Sequence, residues 1–142
     1  MEPDERTEFL SWMASLPIPP EIAQKLLPHL PADADVDPEL PNWIESARRI
    51  IGLNNPEHGF GLPKEPIDEG FLIIGWCPNG DLVAVNFRDP RLPVFYISHE
   101  QMHSSPLSEV IRRVADSIED YDEALGDENS GIPLDYWHDP KR

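Results

Sequence analysis

One cysteine, Cys77, is all that the 142 residues contain. A lone thiol cannot close an internal disulfide, and it cannot complete a thiolate metal site by itself. It sits in an apolar run with no neighbouring Lys or Arg to stabilise a thiolate, so it reads as a buried, inert side chain. Long apolar runs are also missing. No stretch approaches the roughly 20 residues a membrane helix needs, so no span is expected. The acidic start, Met1-Glu2-Pro3-Asp4-Glu5-Arg6, lacks the basic and apolar regions of a secretory signal, and a cytoplasmic location is the expectation. Basic residues are scarce as well: 11 Lys and Arg stand against 27 Asp and Glu, for a net charge of −16. Such a field repels phosphate backbones and anionic bilayers, which argues against nucleic-acid and membrane partners. Gly59-Phe60-Gly61 lacks the flanking strand and helix of a phosphate loop, no serine elbow is present, and no internal repeat is visible.

Proline, by contrast, is abundant, with 17 residues, most of them in the first hundred. Between them the hydrophobic periodicity predicts three short N-terminal helices. The first covers 4–16, with Phe9, Trp12, Met13 and Leu16 on one face, and ends at Pro17-Ile18-Pro19-Pro20. The second starts at Pro20, carries Ile22, Leu26 and Leu27, and stops near Pro28. Pro31 to Pro38 reads as an acidic loop. A third helix is expected from about Pro41, with Trp43, Ile44, Ala47, Ile50 and Ile51 as its stripe and Gly52 as its cap. Residues 53–70 hold too many prolines and glycines for a long element and read as a working loop or a surface strap.

Three strands follow. Phe71 to Cys77 is apolar throughout, as expected of a strand covered on both faces. Pro78-Asn79-Gly80-Asp81 is a strong hairpin signal before Leu82 to Phe87. Arg88-Asp89-Pro90-Arg91 turns the chain into Leu92 to Ser98. Short turns between sequential strands predict an antiparallel meander over about 71–98. A long helix is expected over 106–125, with Ser105 as N-cap, Gly126 as stop, and a stripe of Leu107, Val110, Ile111, Val114, Ile118, Tyr121 and Leu125. The tail, 127–142, should dock through Ile132, Leu134, Tyr136 and Trp137. The expected fold is therefore a single α+β domain, 1–142, whose antiparallel or mixed sheet is flanked by N-terminal helices and one long C-terminal helix.

Two features invite a chemical interpretation. His99-Glu100-Gln101-Met102-His103 matches the H-E-x-x-H pattern, in which two His on one helical turn bind Zn²⁺ and the Glu serves as general base. The strand-like Val94 to Ile97 before it and Ser104-Ser105-Pro106 after it put the match on a connection, where the two imidazoles need not converge. Glu123 or Glu128 would have to supply the third ligand. We read the match as a coincidence and keep a small zinc hydrolase using His99, His103 and Glu100 as the alternative. The second feature is a run of acids, Asp116, Glu119, Asp120, Asp122, Glu123, Asp127 and Glu128. On a helix over 106–125, Asp116/Asp120 and Glu119/Glu123 would be like charges at i, i+4, and the run would oppose the macrodipole at the C-terminal end. A solvated face tolerates such small terms; a surface kept for a basic partner would explain them. Asp116, Glu119, Asp120 and Glu123 are the expected partner-binding residues. His29, His58 and His138 read as ordinary surface residues.

From Gly70 to Leu125 the chain carries, in order, an apolar strand ending in Gly75-Trp76, the Asn79-Gly80-Asp81 turn, the strand Leu82 to Phe87, and the Arg88-Asp89 corner. Val94-Phe95-Tyr96-Ile97-Ser98-His99-Glu100 and an acidic helix after Ser104-Ser105 complete the set. This order resembles the SUKH superfamily, which includes the fungal Smi/Knr-like cell-wall assembly regulators and many bacterial immunity proteins. The resemblance implies a sheet flanked by helices, no catalytic site, no cofactor, and a protein-binding role. In the bacterial branch that role is neutralising a toxin, often a nuclease. Nuclease domains are basic, so the acidity of this chain fits such a partner. A regulatory scaffold, as the fungal relatives suggest, is the further alternative.

Overall fold

A computed structural model describes residues 2–37, 39–55, 65–127, 129, 131–133, 135 and 136. The chain is α+β, and the described residues form four α-helices and one four-stranded antiparallel sheet in the order β1-β2-β3-β4. Helix α1 spans Pro3–Ala14, α2 Pro20–Leu26 and α3 Ala47–Leu53. Strands β1 (Phe71–Trp76), β2 (Leu82–Asn86) and β3 (Val94–Ile97) form the expected meander. Gly80 alone takes the left-handed conformation in the first hairpin (φ 94°), while Gly80 N–H donates to Cys77 C=O at 2.9 Å. Pro78 and Asn79 thus form the turn proper, and the glycine absorbs the reversal of φ.

Two sequence expectations fail. The long helix over 106–125 does not form. A 3₁₀ turn at Leu107–Glu109 leads into a fourth strand, β4 (Ile111–Ala115), paired with β3, and only Ile118–Leu125 is helical, as α4. Ile111 and Val114 are β-branched, so they satisfy a sheet as readily as a helical stripe. Ser117 provides the true N-cap, its Oγ accepting the Asp120 N–H at 3.1 Å. The third helix likewise starts at Ala47, not Pro41, because Ser46 caps it by accepting from Arg49 N–H. Gly52 lies inside that helix and Asn54 ends it. Residues 56–64 of the predicted loop, together with Leu134 and Trp137 of the tail, lie outside the described residues.

The stretch before α3 is irregular, with bends at Trp43 and Ile44, and lies against β1. Trp76 N–H donates to Asn42 C=O (3.0 Å) and Glu45 N–H to Ile74 C=O (2.7 Å). Gly75 makes this approach possible: a Cβ there would stand 2.3 Å from the Trp43 carbonyl oxygen. The buried Glu45 carboxylate accepts from Arg49 Nε and Trp76 Nε1, both at 2.8 Å, which fixes the same stretch from its side-chain side. Farther along the strand, the Asn54 amide takes the place of a neighbouring strand, accepting from Ile73 N–H (2.9 Å) and donating to Ile73 C=O (2.8 Å).

Both faces of the sheet are covered. Leu72, Ile74, Val83, Val85, Val94 and Tyr96 meet the helices in the larger core, with Phe9, Met13, Leu26, Ile50, Ile118 and Tyr121. Phe71, Ile73, Ala84 and Ile97 on the opposite face are covered by Met102, Leu107 and Val110 from the β3–β4 connection. The apolar character of β1 follows from that double burial.

Candidate functional site

The H-E-x-x-H segment is not helical. Its residues form turns after β3, with isolated α-turn bonds from Met102 N–H to Ser98 C=O and from Ser105 N–H to Gln101 C=O (both 3.1 Å). Met102 is the buried residue of the five and plugs the second face of the sheet. His99 Nδ1 lies 2.6 Å from Asp81 Oδ1, which also accepts the His99 backbone N–H at 3.0 Å. The other oxygen of Asp81 accepts from Asn79 Nδ2 (2.8 Å) and from Tyr136 N–H (3.0 Å). Asp81 is fully buried, so these four bonds make its carboxylate a junction between the first hairpin, the β3–β4 connection and the tail. Glu100 and His103 are exposed. Among the described residues no group of three His, Cys, Asp or Glu side chains is arranged to hold a metal ion. Cys77 is buried, and burial, with Asp81 and Asp135 nearby, pushes its thiol well above the ordinary range.

The four acids expected to bind a partner are divided by the fold. Asp116 lies between β4 and α4 and pairs with Arg113 Nε at 3.2 Å. Glu119 and Asp120 occupy the first turn of α4, where carboxylates favour the helix dipole. The unfavourable placement inferred for them therefore does not hold, because the helix starts at Ile118. Glu119 and Glu123 remain like charges at i, i+4. Asp120 and Glu123 are exposed and pair with no cation among the described residues.

Sequence reasoning missed His29 and Asp122. His29 closes a 3₁₀ turn at Leu27–His29 after α2; its Nδ1 lies 2.7 Å from Asp122 Oδ2, and its Nε2 3.9 Å from Glu119 Oε1. It is a mostly buried bridge to α4, not an ordinary surface residue. His29 and Asp122 also line a groove of about 820 Å³, bounded by residues 28–31, 41–44, the end of α4 and residues 131–133. Pro28, Pro31, Pro41, Trp43, Ile132 and Pro133 give it apolar walls. Asp122 and Asp127 bring negative charge to it, and among the described residues no Lys or Arg lines it. Leu125, 36% exposed, belongs to it, and Leu40, 57% exposed, immediately precedes its Pro41 wall. No local signal could have revealed the groove, because its walls come from four separate parts of the chain.

Two groove walls are tied to the sheet through Tyr96. Its hydroxyl lies 2.7 Å from Pro133 C=O, which can only accept, so Tyr96 donates there. The 3.2 Å contact with Tyr121 must then run the other way, with Tyr121 O–H donating to the Tyr96 oxygen. The result is a buried relay from α4 through β3 to the tail. Burial pushes both hydroxyls well above the usual phenol range. Arg112 Nη1 adds a third hold, donating to Tyr136 C=O at 3.2 Å.

No protein-family model, no curated protein and no solved structure matches this chain. No helix among the described residues is long and apolar enough to cross a membrane.

Proposed function

We propose that this chain is a non-catalytic protein-binding domain that grips a basic protein partner, and that it acts as an immunity protein masking a basic toxin. The observation that carries this reading is the acidic surface of α4: Glu119, Asp120 and Glu123 are exposed, with only His29 near Glu119 and no Lys or Arg paired with any of the three among the described residues. Carboxylates left in that state raise the local concentration of a cationic partner and speed its encounter. The net charge of −16 extends the same field over the molecule.

The SUKH resemblance supports the reading through the order of its parts. The strand ending at Gly75-Trp76, the Asn79-Gly80-Asp81 turn, the second strand and the third are present as elements. The helix after Ser104-Ser105 is absent, replaced by β4 and the shorter α4.

The test is a pull-down from the native host, using the chain and a Glu119→Lys/Asp120→Lys/Glu123→Lys variant as parallel baits. A basic protein should be recovered by the first and lost from the second. Its association rate should fall at least about tenfold on charge reversal and fall steeply with added salt. An equal, salt-insensitive rate for both baits would rule the reading out. For the antidote role, the recovered protein should be toxic when expressed alone and harmless when co-expressed with this chain.

A further inference from the structure

We propose that the groove between residues 28–31, residues 41–44, α4 and residues 131–133 receives an extended segment of a protein partner, one that carries an aliphatic or aromatic side chain flanked by Lys or Arg. The inference rests on the basic-partner reading and goes beyond it by naming the contact and the chemistry it selects.

Three features of the groove lead there. Its walls are apolar and largely preformed. Proline has one fixed backbone torsion, and Trp43 belongs to the stretch pinned to β1 by the two backbone hydrogen bonds and by Glu45. A preformed wall orders little on binding, so burial of an apolar side chain is not offset by loop entropy. Next, four of the lining residues are prolines, at 28, 31, 41 and 133, and these present no N–H to a guest backbone. An added β-strand needs a continuous ladder, so the groove favours recognition through side chains. Finally, the charge that the described residues bring is of one sign. Asp122 and Asp127 line the groove, Glu119 stands beside His29, and no Lys or Arg among the described residues lines it. A guest with acidic flanks would be repelled; one with basic flanks would be drawn in and held in register. The volume of about 820 Å³ is enough for one large side chain together with its neighbours' stems.

The probe is a set of three capped pentapeptides, Lys-Arg-Leu-Arg-Lys, Lys-Arg-Gly-Arg-Lys and Glu-Glu-Leu-Glu-Glu, titrated into the full chain and followed by amide and indole chemical shifts. The basic leucine peptide should shift Trp43, Leu125 and Ile132, and should bind at least about tenfold tighter than its glycine counterpart, as burial of one leucine requires. The acidic peptide should not bind. Ala124→Trp, which fills the groove without changing charge, should abolish the leucine advantage, and Asp127→Asn should weaken both basic peptides alike.

Equal affinity for the leucine and glycine peptides, with shifts confined to the exposed acids of α4, would overturn the groove site and leave the basic-partner reading standing. No binding by either basic peptide, or binding by the acidic one, would also overturn it. So would a dimer in sedimentation that Ala124→Trp dissociates, because the groove would then belong to a second copy of the chain. A partner recovered from the host that binds Ala124→Trp undiminished would exclude the groove directly.

Discussion

Tyr96 is the residue whose removal separates anchoring from packing. Tyr96→Phe keeps the ring and its edge-on contact with Tyr121, at a centroid distance of 6.3 Å, but takes away the donor to Pro133 C=O and the acceptor for Tyr121 O–H. Two buried polar groups lose their partner at once. We expect a loss of about 2 kcal/mol in urea denaturation, with faster amide exchange over residues 131–136. Gly75 tests the opposite wall. Gly75→Ala would press a Cβ to 2.3 Å from the Trp43 carbonyl and 2.5 Å from that of Asn42. Backbone atoms must move to relieve this, at a cost of roughly 2–3 kcal/mol, so the melting temperature should drop and the Trp43 indole resonance should shift.

At the scale of elements, the split of the predicted C-terminal helix is the main correction. Ser117→Ala removes the N-cap of α4 and should lower stability by about 1 kcal/mol; Ser105→Ala, at the N-cap inferred from sequence, should change it by less than half as much. The pair, compared by denaturant midpoint, tests where the helix begins. The meander was legible because turn chemistry is local. Asn79-Gly80 and the Arg88–Arg91 corner mark strand ends with no help from tertiary contacts. Residues 107–118 were not legible, because the i, i+3, i+4, i+7 spacing of Leu107, Val110, Ile111 and Val114 reads as a helical stripe, and pairing of residues 111–115 with β3 overrides it. The acidic cluster was visible in the sequence; the groove beside it was not. That groove depends on residues 28–31, the stretch 41–44 and the tail coming together against α4, and apart from α4 each alone reads only as irregular chain.

For the whole molecule, charge and burial set the pH response. Cys77, Tyr96 and Tyr121 have folded-state pKa values above the ordinary 9.0 and 10.0, in each case chiefly because burial disfavours the charged form. Their contribution to stability is whole below the unfolded values and is lost as pH rises past them, because the unfolded chain then releases protons that the folded one keeps. Above about pH 10 each group should steepen the decline by about 1.4 kcal/mol per pH unit. Urea midpoints taken from pH 8 upward should be flat at first and then fall, and tyrosinate absorbance from Tyr96 and Tyr121 should rise only together with unfolding. If that absorbance rises before unfolding, the hydroxyl relay is open to solvent.

The Asn54 amide, hydrogen-bonded to both backbone groups of Ile73, has a bearing on how β1 opens. It caps one outer position of β1, and the stretch 42–45 caps two more. Asn54→Ala would leave the N–H and C=O of the fully buried Ile73 without that partner, in a place no neighbouring strand can reach while 42–45 stays in position. The variant should lose about 2 kcal/mol in urea denaturation, and the Ile73 amide should become one of the first in the sheet to exchange with heavy water. One carboxamide then serves as the missing outermost strand at that point of the sheet.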